Sequence, residues 1–187
     1  MDLTPLFEQG IKKDSFLPEI FAILNQHTKG ETYLIGGKVY RTIISEQEGL
    51  QQPSCDYDFL VDHITEKLIL PKGWQETQNK YGNTKLLNES VSVDIVPLKN
   101  VHSILRRKLS PTKENYLSGT PFTLQSILYD IHAKKVQGSA GIEAILTKTV
   151  RIHNYHEAAY QAHMKRVSVI DLLKEKAKSV GFTQVYI

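Results

Sequence analysis

The chain carries a single cysteine, Cys55, among 187 residues. One thiol excludes an internal disulfide framework and any multi-cysteine zinc site. Long apolar runs are missing as well, and none approaches the roughly 20 residues that cross a bilayer. The opening stretch, MDLTPLFEQGIKKDSF, lacks the basic start and apolar run of a secretory leader. These absences set the expectation of a reduced, cytoplasmic protein with no membrane partner. Charge of one sign is also scarce, because 23 Lys and Arg against 20 Asp and Glu leave a net +3. So weak a field neither demands nor forbids a triphosphate or nucleic-acid ligand. Repeats, low-complexity tracts and linkers are not visible either. The expectation is one domain over 1–187, with a core of about 30–153 and a helical segment of about 154–187. Its apolar share of 41% and charged share of 23% suit an ordinary folded core.

What is present alternates between helical and strand patterns. Ile20, Phe21, Ile23 and Leu24 fall at helical spacing over 18–28, with Pro18 at the start. The run Thr32–Ile35 (TYLI) reads as a strand that stops at Gly36-Gly37. A helix over 38–45 follows, and then a polar loop over 46–54. Strands are expected over 57–61, 74–79, 84–87 and 91–96, separated by the turn residues Tyr81-Gly82-Asn83 and Asn88-Glu89-Ser90. A short basic helix is expected over 101–109, and the type of 122–131 stays open. Short strands near 136–138 and 149–152 flank a helix at 142–146. One long helix over about 155–180, stopped by Gly181, completes the reading.

Three carboxylates carry the chemistry. Side chains two apart on a strand project to the same side, so Asp56 and Asp58 point together. Like charges held beside Phe59, Leu60 and Val61 are unfavourable unless something positive joins them. Mg2+ or Mn2+ is the simplest answer, since such ions favour oxygen ligands and keep positions for water and phosphate. Alternation in VSVDIV puts Ser92, Asp94 and Val96 on one face, so Asp94 is the third carboxylate if the strands are neighbours. Three carboxylates can hold two metals, one on a triphosphate and one on an attacking hydroxyl. The Gly36-Gly37 turn before a helix offers backbone N–H groups to phosphate oxygens. Lys38 and Arg41, three apart, are the expected side-chain contacts to that triphosphate. Alone, a D-x-D pair more often lies in a solvated loop and a GG pair is usually only a turn. The ordered set is much rarer.

The series YLIGGKVYR, DYDFLVD, YGNT and VSVDIVPL resembles the head domain of the poly(A) polymerase and CCA-adding enzyme group, in the DNA-polymerase-β-like nucleotidyltransferase superfamily. FTLQSILYDI and KKVQGSAGIEAILTKTVRI resemble its continuation, so the likeness runs from about Tyr33 to Ile152. The resemblance implies an α+β fold, a twisted mixed sheet flanked by helices and followed by the C-terminal helix. It implies Asp56 and Asp58 as metal ligands, with Asp94 completing the site and helping to activate an acceptor hydroxyl. It also implies ATP or another NTP as substrate, and an RNA 3′ end, a protein or a small molecule as acceptor. A non-catalytic nucleotide- or RNA-binding module is the rival expectation.

Departures from that pattern are specific. Tyr40 stands where the group has arginine, and Arg41 where it has aspartate. Gly119-Thr120-Pro121 replaces an Arg-Arg-Asp, and Gln125 replaces an asparagine. One further helix takes the place of a long helical body, which argues against template-free CCA addition to tRNA. Elsewhere the plainer readings prevail. Arg106-Arg107-Lys108 is expected on a solvated helix face, and His153 and His156 lack partners for a metal. Cys55 is expected as a small buried residue entering the strand, and Tyr129, Tyr155 and Tyr160 as buried or half-buried.

Overall fold

The computed structural model describes residues 1–51 and 56–186. Cys55 and the end of the polar loop expected over 46–54 lie outside the described residues.

Two helices open the chain, α1 (Thr4–Ile11) and α2 (Leu17–His27), each with a proline in its first turn where no N–H is needed. Strand β1 (Thr28–Ile35) then runs into α3 (Gly37–Glu48), which Gly49 ends in the left-handed conformation. Strand β2 (Tyr57–Ile64) is followed by β3 (Gln75–Gln78), β4 (Thr84–Leu87) and β5 (Ser92–Pro97). Two short helices, α4 (His102–Arg106) and α5 (Lys113–Leu117), precede β6 (Leu128–Asp130) and β7 (Lys135–Gln137). The rest is α6 (Ser139–Leu146), β8 (Thr149–Arg151), α7 (Tyr155–Lys165), α8 (Val169–Lys178) and β9 (Gln184–Tyr186).

Seven strands form one mixed sheet in the order β3-β4-β5-β2-β1-β6-β7, and β8 and β9 pair separately. All pairings in the large sheet are antiparallel except β2 with β5. The period-2 alternation divides the central strands between two environments. Leu34, Phe59, Val61, Val93 and Ile95 belong to the main core together with Phe7, Ile20, Leu24, Val39 and Ile43 from the first three helices. On the opposite side, Tyr33, Leu60 and Leu128 pack with Leu98, Val101 and Ile104 in a smaller cluster. This second side is only partly covered, and it carries the even-numbered residues of β2 and β5.

The fold is the α+β arrangement expected, a mixed sheet flanked by helices, but the C-terminal helix is not continuous. Arg166 takes a left-handed conformation (φ 56) that ends α7, and the Ser168 side chain caps α8 by accepting from Asp171 N. The spacing of Ile170, Leu173 and Ala177 belongs to α8 alone. Two helices fold Ala158 and Ala162 back against Leu172, Leu173 and Ala177 within the core, which a straight rod cannot do. The segment over 122–131 is a single 3-10 turn (Thr123–Gln125) followed by β6. Arg166→Gly separates the two arrangements. It is expected to stabilise the broken helix by about 1 kcal/mol, because glycine takes the left-handed conformation without strain. In an unbroken helix it would cost about as much, so urea unfolding gives the sign.

Candidate active site

Asp58 and Asp94 meet through backbone pairing. Strands β2 and β5 run parallel with Asp58 opposite Asp94, and Ile35 of β1 is opposite Asp58 on its other side. Both carboxylates therefore leave the sheet on its partly covered side, because Tyr57, Phe59, Val93 and Ile95 take the core positions. They line a cavity of about 540 Å³ with Gly36, Asn79, Tyr116, Thr120 and Arg106.

The two carboxylates have unequal surroundings. One oxygen of Asp94 accepts from Asn79 Nδ2 at 3.0 Å, and Lys85 Nζ lies 3.6 Å from the other. Among the described residues, no hydrogen-bond donor reaches the Asp58 carboxylate. Burial, then the negative charges of Asp94 and Asp56, push its carboxyl up to about 6, and Lys85 pulls the other way. Asn79 is set by its own turn: its Oδ1 accepts from Tyr81 N and Asn83 N, at 3.0 and 3.1 Å. Asn83, which is buried, is fixed in turn by Asn100 Nδ2 at 2.9 Å. The Asn79, Lys85 and Tyr116 contributions were not anticipated from sequence. The only hint was YGNT, a tight turn that brings its flanking residues across from VSVD.

The Gly36 backbone passes close to the Asp58 carboxylate. Its backbone (φ 69, ψ −143) suits glycine alone, and a Cβ there would stand 3.2 Å from Asp58 Oδ2. The N-terminus of α3 begins at Gly37 beside it, with no side chain capping its first N–H groups.

The remaining expected residues are placed elsewhere. Asp56 is exposed just ahead of β2 and borders a separate hollow with Lys38 and Asp14, although its charge reaches Asp58. Lys38 is buried, ion-paired with Asp14, and its ammonium lies 4.9 Å from the Tyr57 ring centre. Tyr57 Oη donates to the same Asp14 carboxylate at 2.9 Å. Arg41 donates to Ser179 O at 3.0 Å, beyond the end of α8, and Tyr40 Oη lies 3.4 Å from Lys176 Nζ. The structure thus brings Gly36, Asp58 and Asp94 together and turns Lys38 and Arg41 to other partners.

The basic run at the end of α4 is exposed at Arg106 and Lys108, as expected, but both arginines have partners within the chain. Arg106 pairs with the buried Glu157 and stacks 3.8 Å from the Tyr160 ring centre at the cavity wall. Arg107 ties Ser103 O to Ser118 Oγ, each at 3.0 Å. Tyr129 is buried as expected, whereas Tyr155 is exposed.

Among the described residues, no three His, Cys, Asp or Glu side chains stand close enough to form a metal-ligand set. Two carboxylates still suit magnesium, which is commonly held by one or two of them plus water and substrate phosphates. Asp58, partly buried beside another carboxylate and without a donor, has the chemistry of such a ligand.

Neither protein-family models nor curated protein sequences give a match to the chain. Solved structures do. A CCA-adding enzyme with ATP superposes with a TM-score of 0.62 at 14% identity, over 100% of this chain and 42% of that one. A CCA-adding enzyme with CTP gives 0.60 at 15%, over 97% and 47%. The Bacillus stearothermophilus CCA-adding enzyme in complex with CTP gives 0.55 at 19%, over 88% and 38%. The chain shares its fold with the matched part of these CCA-adding enzymes, and it spans less than half the length of those structures.

Two measurements probe the charges at the site and beneath it. A carboxyl raised from its ordinary 3.8 to about 6 binds its proton more tightly in the folded state. Its stabilising effect is complete below about pH 4 and is lost as pH rises through about 6. In chelator at pH 8, Asp58→Asn should therefore raise stability by ~2 kcal/mol, with little change at pH 4. Denaturation at the two pH values reads the difference, and an equal effect at both would refute it. Lys38→Met strands Asp14 in a buried site and should lower stability by about 3 kcal/mol. Urea unfolding checks this, and a neutral result would free Lys38 for another role.

Proposed function

We propose that the chain is a divalent-metal-dependent nucleotidyltransferase, moving a nucleoside monophosphate from an NTP to a hydroxyl acceptor with release of pyrophosphate. The observation that carries this reading is the register that sets Asp58 beside Asp94 at the mouth of a cavity. The head fold and the uncapped α3 N-terminus beside Asp58 support it.

Asp58 and Asp94 are the residues that would hold Mg2+ or Mn2+, with Asp56 contributing charge from just outside the strand. Such an ion, when bound, neutralises triphosphate oxygens and increases the acidity of a hydroxyl. The protein's own part is positioning. Gly36 lets the substrate's phosphates approach the backbone N–H groups that open α3. The acceptor oxygen forms a bond to the α-phosphorus as the bond to the bridging oxygen breaks. The hydroxyl proton passes to the Asp94 carboxylate, and pyrophosphate carries away the electron pair. Asn79 and the Asn83–Asn100 bond hold Asp94 in one orientation through this exchange. Lys38, committed to Asp14, gives the triphosphate no help in this arrangement.

The acceptor classes are an RNA 3′ end, a protein side chain and a small molecule. Incubation with Mg2+ or Mn2+, each α-labelled NTP and pools of RNA, protein and metabolites identifies which one takes the label. Transfer should fall about 10³-fold in Asp58→Asn and Asp94→Asn. Transfer that survives both substitutions would defeat the assignment. Tight NTP binding with no transfer to any pool would support a nucleotide-binding module instead, the reading favoured by the diversion of Lys38 and Arg41.

A further inference from the structure

We propose that Lys85 is a built-in counter-cation for the Asp58–Asp94 pair, competing with a divalent ion for the same carboxylates and so setting the affinity of the site for metal. The proposal rests on reading that pair as the metal ligands.

Strand β4 places Lys85 directly opposite Asp94 in the antiparallel ladder. Its ammonium lies 3.6 Å from Asp94 Oδ2, while Asn79 fills Oδ1 at 3.0 Å. Both Asp94 oxygens are therefore engaged, one by a neutral amide and one by a full charge. Among the described residues, no other lysine or arginine forms an ion pair with Asp58 or Asp94. The two contacts differ in what they can do. Asn79 is fixed by its own turn and orients the carboxylate. Lys85 is tethered only by its flexible stem, with its side chain 28% exposed.

A partly solvated Lys–Asp pair contributes little stability. Swinging the ammonium into water is correspondingly easy, whereas removing the orienting amide is not. Two carboxylates side by side carry two negative charges, and one lysine leaves half of that uncompensated. A divalent cation neutralises both, so it displaces the ammonium at a modest electrostatic penalty. That penalty keeps the empty site folded with its charges tolerated, at the expense of tightness. Lysine suits such exchange better than arginine, whose planar fork would grip a carboxylate bidentately.

The test measures binding of Mn2+ alone by the electron paramagnetic resonance of the free ion, together with thermal unfolding in chelator. Lys85→Met and Lys85→Gln should each tighten Mn2+ binding about tenfold while slightly lowering metal-free stability at pH 8. Lys85→Arg keeps the charge and should bind Mn2+ no more tightly than wild type. Opposite signs for the two readouts are decisive, since a purely structural lysine would lower both. Unchanged or weaker Mn2+ binding in the neutral variants would overturn the proposal. Failure of the underlying metal reading looks different: wild-type protein would bind no Mn2+, or Asp58→Asn would bind it as well as wild type.

Discussion

Everything around the cavity depends on the parallel pairing of β2 with β5, which holds Asp58 and Asp94 side by side. Sheets ordinarily avoid like charges on adjacent positions. Here the backbone enforces the pairing, because sliding either strand by one residue would turn Phe59 or Ile95 out of the core. The apolar alternation on one side thus dictates the carboxylate alternation on the other. Strain between the charges is taken up locally, by the Asn79 amide, the Lys85 ammonium and a raised Asp58 carboxyl. Together they let the strand fold with its two carboxylates side by side.

The same two-sidedness explains the rigidity under the site. Tyr57, next to Asp58, points to the opposite side and donates to Asp14, which also holds the buried Lys38. This closed group ties the loop between α1 and α2 to both α3 and β2. Removing one charge from it is costly because the partner charge remains buried. Asp58 therefore emerges from a strand fixed from beneath by the main core and the Asp14 group. Site residues on such elements are held more closely than residues on loops.

Short-range patterns carried the sheet and the strands bearing Asp58 and Asp94, since alternation of period two is written directly in YDFLV and VSVDIV. Asp56, however, lies ahead of β2 and does not share the face of Asp58. The same patterns do not reveal the partners of Lys38 and Arg41, because helical spacing says which side chains are near each other and not what they meet. Lys38 sits on the inward side of α3 with Val39 and Tyr40, and its partner Asp14 lies before α2. Arg41 finds Ser179 at the far end of the chain. Lys85 was hidden for a related reason. Its importance comes from facing Asp94 across the β4–β5 ladder, and nothing in the run TKLL announces that partner. The break in the C-terminal helix was legible only weakly. Ser168 with Asp171 three residues on has the form of a cap, but Arg166 gives no sign of a left-handed turn.

Tyr40 and Arg41 connect these observations to the chemistry. They stand where the resemblance calls for arginine and aspartate, and both instead bind the C-terminal helix, Tyr40 through Lys176 and Arg41 through Ser179. Helix α3 is thereby fastened to α8. Its side chains have been given to packing, while its N-terminal amides have been left without side-chain caps. An anion at this end would meet backbone N–H groups beside the Arg41 guanidinium, whose Nε lies 3.6 Å from where a Gly37 Cβ would stand. On the proposed reading of Asp58 and Asp94 as metal ligands, the charge of Lys85 then bears on how readily the site accepts a metal and, through it, a phosphate.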